Sequence, residues 1–348
     1  MKIKELFARK KKNYNKPFVI AEIGHNHKGS VEIAKEMFVA AKECGADAVK
    51  LQKRNNKSLF TNEMFNQAYD HPNSYGKTYG KHRDYLELSK KEFLILKKLA
   101  KKLDIEFICT PFDFESVDFL KDVGISAYKI ASADLINTPL QERLAKHKKP
   151  IFLSTGGGNY NDVERAYKNI TKINKKLAIL HCTASYPAEF EDMNLNILRV
   201  LKKKYKNCII GLSDHENGID AASIAFMLGA RIFEKHFTLD RSWKGTDHSF
   251  SLEPQGLKKM IRNLNRISVM LGSSQKKLLK SEINPMYKMQ KSLVASKDLK
   301  KGLKLEMKHI SIKSPGGGMK PYELKNIINK KLNKDIKKDE KINKKFLK

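Results

Sequence analysis

Residues 208–237 read CIIGLSDHENGIDAASIAFMLGARIFEKHF. The stretch opens and closes on short β-branched runs, CIIGLSD and RIFEKHF, and between them DAASIAFMLGA carries apolar residues at helical spacing and ends in glycine. Working outward, the same alternation recurs through FVIAEIG (18–24), DAVKLQ (47–52), EFICT (106–110), AYKIAS (127–132), PIFLST (150–155) and LAILHCT (177–183). Near-continuous apolar strands alternating with amphipathic helices predict a parallel sheet covered on both faces. Eight such units close most economically into an α/β fold of the (β/α)₈ barrel type.

A barrel carries its chemistry at the C-terminal ends of its strands, and polar residues gather there in all eight runs. Glu22 ends the first, Lys50 and Gln52 the second, Thr110 the third, Lys129 and Ser132 the fourth, Ser154 and Thr155 the fifth. Thr183 follows the sixth, Ser213, Asp214 and His215 close the seventh, and Lys235 and His236 the eighth. The second connection, from Lys53 to Ser89, far exceeds the usual two to six residues of such loops and reads as a functional lid.

The 348 residues suffice for a barrel of about 250 residues and an appendage. The boundaries read as a barrel over 1–274, a polar linker over 275–290 and a small β-rich domain over 291–348. That last domain lies near the size limit for folding alone, so it is expected to dock on something. Four cysteines without CxxC spacing read as reduced core residues. The opening MKIKELFARKKKNYNK has no apolar segment for secretion, and no run approaches the roughly 20 apolar residues of a spanning helix. A cytoplasmic protein with no membrane partner is expected. The net charge of +31 suggests nucleic acid, but the lysines are dispersed over helix faces without aromatic interleaving, so no nucleic-acid partner is expected.

Several segments resemble the sialic acid synthase family: AEIGHNHKGS, KLQ, KIAS, LSTG, and GLSDH followed by FEKHFTLD, with KSLVASKDLKKG and SPGGG similar to its C-terminal antifreeze-like (SAF) domain. The resemblance implies condensation of phosphoenolpyruvate with an amino-sugar acceptor, and a domain-swapped homodimer in which each SAF domain closes the partner's barrel. It also implies that Lys50, Thr110, Lys129, Ser132, Ser154 and Ser213 hold phosphoenolpyruvate. His215 and His236 match ligands of a divalent metal, Mn²⁺ or Mg²⁺, and Glu22, Gln52, Asp134, Tyr186 and Asp247 match positions toward the sugar. Ala184, Asp134 and Ser314 depart from residues common in bacterial members, namely Asn, Glu and Arg. The loop NSYGKTYGKHRDYLEL resembles that of the animal enzymes, which take a 6-phosphorylated acceptor; Lys77, Lys81, His82 and Arg83 are its candidates for a second phosphate. Legionaminate and pseudaminate synthesis are further alternatives within the family.

The residues suit that chemistry. A dianionic phosphate and a carboxylate need fixed cations with hydroxyl donors, and Lys50 and Lys129 are poor candidates for packing alone because buried lysines need partners. Histidines ending adjacent strands can share a divalent ion, and Glu22, in an apolar run, is placed to move a proton. The catalytic expectation is therefore Glu22, His236 and Asp247. A related barrel making a 3-deoxyulosonate phosphate, and a non-catalytic carbohydrate- or nucleic-acid-binding protein, are the rival readings. The two-histidine pattern and the C-terminal lid count against the first, and the intact strand-end residues against the second.

Overall fold

The computed structural model describes residues 2–8 and 16–348. Residue 1 and residues 9–15, part of the opening stretch read as free of a secretory segment, lie outside them. The chain forms two compact units, Met1–Gly272 and Ser273–Lys348.

In the first unit eight parallel strands close into a barrel: β1 (Phe18–Gly24), β2 (Ala48–Lys53), β3 (Glu106–Pro111), β4 (Ala127–Ile130), β5 (Ile151–Ser154), β6 (Leu177–Cys182), β7 (Ile209–Asp214) and β8 (Ile232–His236). Each coincides with one of the apolar runs. Closure is made by β1, which pairs in parallel with both β2 and β8. One or more helices follow each strand, and their apolar faces meet the outward-pointing strand residues in one large core that includes Val19, Leu51, Tyr128 and Phe233.

A second, smaller core fills the barrel itself. Phe18, Ile20, Ala48, Ile108, Ala127, Phe152, Ala178, Leu180 and Ile232 point inward, and Ile3 and Leu6 of the N-terminal helix Ile3–Ala8 pack beneath them. Gly211 is required there: a Cβ would stand 2.5 Å from the Leu180 side chain and 2.6 Å from the Ile232 carbonyl oxygen. Among the described residues no helix is long and apolar enough to cross a membrane.

The long second connection folds into short helices, Asn56–Leu59, Asn62–Asn66 and Tyr79–Tyr85. It is pinned across the barrel mouth to the loop after β8, where the Tyr75 hydroxyl donates to the Lys244 carbonyl and Gly245 N–H donates to Asn73 Oδ1 at 3.2 Å.

The second unit has an antiparallel pair, β9 (Ser292–Ala295) and β10 (Ile310–Lys313), over a core of Leu293, Leu299, Leu305, Ile327, Leu332, Ile336 and Ile342. Part of the stretch read as linker is a helix, Ile283–Met289; its short apolar pattern is diluted by Asn284, Pro285 and Lys288.

Phe152 fixes the inner core, its ring 5.9 Å from Phe7 and 6.3 Å from Phe18. Phe152→Ala should lower stability by about 3–5 kcal/mol. An unchanged urea midpoint by circular dichroism would place that ring outside the interior.

Candidate active site

Side chains along a strand alternate between faces, so each inward series can be followed upward from the inner core. Ile20 is followed by Glu22, Ala48 by Lys50 and Gln52, Ile108 by Thr110, and Ala127 by Lys129. Phe152 is followed by Ser154, Leu180 by Cys182, Gly211 by Ser213, and Ile232 by Glu234 and His236. The barrel interior thus changes from apolar to polar two residues above its core, and a cavity of about 830 Å³ opens above that level.

Four charges make its floor. Lys50 Nζ lies 2.9 Å from Glu22 Oε2 and 3.7 Å from Glu234 Oε1, and Lys129 Nζ lies 3.1 Å from the same Glu234 oxygen. All four side chains are buried. Around them Lys50 donates to Thr110 Oγ1 at 3.2 Å, Ser213 Oγ to Glu234 Oε1 at 2.9 Å, and Gln52 Nε2 to Glu22 Oε1 at 2.8 Å. Glu22, expected from its apolar run to move a proton, is thus also one half of a buried ion pair.

The two carboxyls are driven apart. Burial pushes both up, but Lys129 and Lys50 together bring Glu234 down to about 2. At Glu22, burial and the Glu234 charge outweigh Lys50, and its pKa stays above the ordinary value. Glu234 remains ionised while Glu22 is the better placed of the two to accept a proton. Burial lowers Lys129 despite Glu234, whereas at Lys50 the two carboxylates overcome burial and raise it.

Several buried polar atoms around the floor have no hydrogen-bond partner, among them Ser154 Oγ, Glu234 Oε2 and His236 Nδ1. Their residues line the cavity, and such atoms are costly unless something bonds them. Gly156 brings backbone close to the same floor. Its N–H donates to Ser132 Oγ at 3.0 Å, and a Cβ there would sit 2.8 Å from that oxygen.

On the other side His215 and His236 face each other, ring centroids 5.3 Å apart, with Tyr186 4.2 Å from the His215 ring. His215 Nδ1 is held by the Thr183 carbonyl at 2.8 Å, which leaves Nε2 free. His236 Nδ1 is 3.7 Å from Asp247 Oδ2, and burial holds its pKa down to about 3, so the ring is neutral. A neutral His236 and a His215 anchored through its second nitrogen, beside a carboxylate, fit a divalent cation that keeps positions for oxygen ligands. Among the described residues no group of three or more His, Cys, Asp or Glu side chains is placed to hold a metal ion by itself.

Of the residues singled out from sequence, Glu22, Lys50, Gln52, Thr110, Lys129, Ser132, Ser154, Tyr186, Ser213, His215, His236 and Asp247 all line this one cavity. Asp134 stands off its wall, where its Oδ1 accepts from Asn137 in a 3₁₀ turn. Asp214 and Lys235 point outward and pair with each other at 2.8 Å. Glu234, His25, Arg54 and Cys182 also line the cavity and were not singled out. The signal for Glu234 was present, because it precedes His236 by two residues and so shares its face.

Comparison with known proteins bears on the same segments. Residues 37–276 match the model of the NeuB family, and residues 290–348 that of the SAF domain. The chain belongs to the NeuB family. The human N-acetylneuraminate-9-phosphate synthase is 36% identical over 326 residues, covering 93% of this chain and 91% of that protein. The Campylobacter jejuni N,N'-diacetyllegionaminic acid synthase is 37% identical over 334 residues, 93% of this chain and 98% of that one. The crystal structure of the N-acetylneuraminic acid synthetase of Leptospira borgpetersenii superposes with a TM-score of 0.68 at 34% identity, covering 78% of this chain and 90% of that one. This NeuB chain is an enzyme of the sialic acid synthase type, with the closed barrel and SAF domain expected from its sequence.

Glu234 is the shared partner of both lysines. Glu234→Ala should cost about 3–5 kcal/mol, and Glu234→Met with Lys129→Met should recover much of it, because a matched apolar pair leaves no orphan charge. Equal urea midpoints for the single variant and the wild type would sink the charge-cluster reading.

Proposed function

We propose that this protein condenses phosphoenolpyruvate with an N-acetylated amino-sugar aldose, of which N-acetylmannosamine is the simplest, releasing phosphate and forming a nonulosonic acid. The observation that carries this reading is the floor: two buried lysines held by carboxylates, with unpartnered hydroxyl and carboxylate oxygens aimed into a cavity at the C-terminal ends of the strands. The names of the similar synthases support it. Lys50, Thr110, Lys129, Ser132, Ser154 and Ser213 hold phosphoenolpyruvate, while Gln52, Tyr186 and Asp247 face the acceptor.

In this reaction the methylene carbon of phosphoenolpyruvate bonds to the aldehyde carbon, and the aldehyde oxygen takes up a proton to become a hydroxyl. Water then adds to the cationic C2 and gives a proton to Glu22, whose raised pKa suits it to receive one. The resulting C2 intermediate loses inorganic phosphate by carbon–oxygen cleavage and becomes a ketone. His215 and His236, with Asp247 beside them, would hold Mn²⁺ or Mg²⁺. Such an ion supplies Lewis acidity at a carbonyl oxygen. Lys50 and Lys129 need no rearrangement to meet the anion, since their positions are already fixed by Glu22 and Glu234. The reading places the enzyme in the cytoplasm, where phosphoenolpyruvate is made.

Phosphate release from phosphoenolpyruvate should require an aldose, stop with a chelator and resume with Mn²⁺ or Mg²⁺. His215→Ala and His236→Ala should each lose most of it. Full activity of either variant in chelator would remove the metal from the reading.

The chain is further proposed to work as a domain-swapped homodimer, each SAF unit covering the partner's cavity. A chain ending before Lys291, mixed with full-length His236→Ala, should regain turnover, because the heterodimer joins an intact barrel to an intact lid. Confirmed heterodimers without activity would rule out action in trans.

A further inference from the structure

Asp214 and Lys235 are register partners at the ends of β7 and β8, on the outer face of the barrel wall. The positions two residues before them, Leu212 and Phe233, face the same way and belong to the large apolar core. Packing alone would accept an apolar pair here as well. Instead the Lys235 ammonium lies 2.8 Å from Asp214 Oδ2, with the two side chains 1% and 3% exposed.

A buried ion pair gains little over an apolar pair of similar volume, because the cost of desolvating two ions offsets their attraction. What it adds is direction, and here both partners are directed at one residue. Asp214 Oδ1 accepts from the Glu216 N–H at 2.8 Å, and Lys235 Nζ donates to the Glu216 carbonyl. The N–H of Glu216 is thus tied to β7 and its carbonyl to β8. Glu216 is itself buried, and its Oε2 accepts from the Ala221 N–H at 3.2 Å, in the first turn of the helix Asp220–Met227.

His215 is the residue enclosed by this clamp. His236 still lies within β8, whereas His215 stands one residue past the last paired position of β7. Its carbonyl accepts from the Ala188 N–H at 3.0 Å and its Nδ1 meets the Thr183 carbonyl, so these contacts hold it to the loop after β6. The Asp214–Lys235 pair carries the connection to β8, and so to His236, beyond the end of the paired register.

We propose that Asp214 and Lys235 are positioning residues for the divalent ion, fixing the separation of His215 from His236 through the backbone. This deepens the proposed metal site and rests on it. The pair does not touch the ion, since it lies on the opposite face of the wall from the imidazoles. Their ring centroids are 5.3 Å apart, and the two rings come from different strands. An ion held by two protein nitrogens and otherwise by oxygen ligands has few bonds over which to share an error of placement, so an outer contact that fixes one imidazole is felt in its affinity.

The test compares full-length wild type, the double variant Asp214→Leu with Lys235→Met, and Leu212→Ala. Each is titrated with Mn²⁺, the unbound ion being read by electron paramagnetic resonance, and each is unfolded in urea. The double variant leaves no orphan charge and should keep a midpoint near that of wild type. It should nevertheless bind Mn²⁺ roughly 10- to 100-fold more weakly. Leu212→Ala, an apolar truncation on the same strand, should lower the midpoint and leave Mn²⁺ affinity unchanged. Undiminished affinity in the double variant overturns the proposal. So does an equal loss in Leu212→Ala, which would trace the effect to a loosened strand. If the double variant does not fold, Lys235→Arg takes its place with the same outcomes, because it keeps the charge but moves the donors that meet the Glu216 carbonyl. If wild type takes up no Mn²⁺, the metal reading is wrong, and crystal structures of the ion-free proteins decide the positioning. A His215 ring displaced from its 5.3 Å separation in the variant then upholds it, and an unchanged separation ends it.

Discussion

Lys50 and Lys129 lie inside a closed barrel where water does not relieve their charge, and the carboxylates of Glu22 and Glu234 balance them. Glu22 belongs to the first strand and Glu234 to the last, while the lysines come from the second and fourth. The cluster therefore exists only when β8 closes onto β1, with Glu22 level with Lys50 on one side and His236 on the other. Closure and charge balance depend on each other: an open sheet would separate the partners, and a missing partner would leave an uncompensated ion in the interior. The hydroxyls of Thr110 and Ser213 and the amide of Gln52 are arranged around this pairing.

The barrel was legible because its information is local and repeated. Each strand is a short β-branched run between helical patterns, and eight repetitions leave little choice of architecture. Most of the cavity was legible for the same reason, since a polar residue at the end of an apolar run cannot go down into the core. Asp214 and Lys235 show where that argument is too coarse. They stand at strand ends beside His215 and His236, but alternation turns them outward, where they neutralise each other. Reading strand ends with period two would have exchanged Lys235 for Glu234.

What stayed hidden depends on contacts between distant segments. His25 is drawn into the site by arginines 29 and 58 residues away, and no spacing rule announces such a meeting. Asp134 was expected toward the sugar from the family resemblance alone, and a 3₁₀ turn brings its Oδ1 to Asn137. The helix Ile283–Met289 escaped because a single turn or two of helix gains its stability from packing more than from propensity.

The cavity is assembled in two ways. Its floor takes one or two side chains from each of eight strands, so any change of register there disturbs the whole. The wall bearing Asn73 and Arg83 is instead one continuous insertion between β2 and the helix Lys90–Lys102, fastened to the β8 loop through Tyr75 and Asn73. Such a segment can be inherited, lost or transplanted as a unit while the strands beneath keep their pairing. Divergence among relatives can then rewrite what enters the mouth of the barrel without reopening the question of what happens at its base.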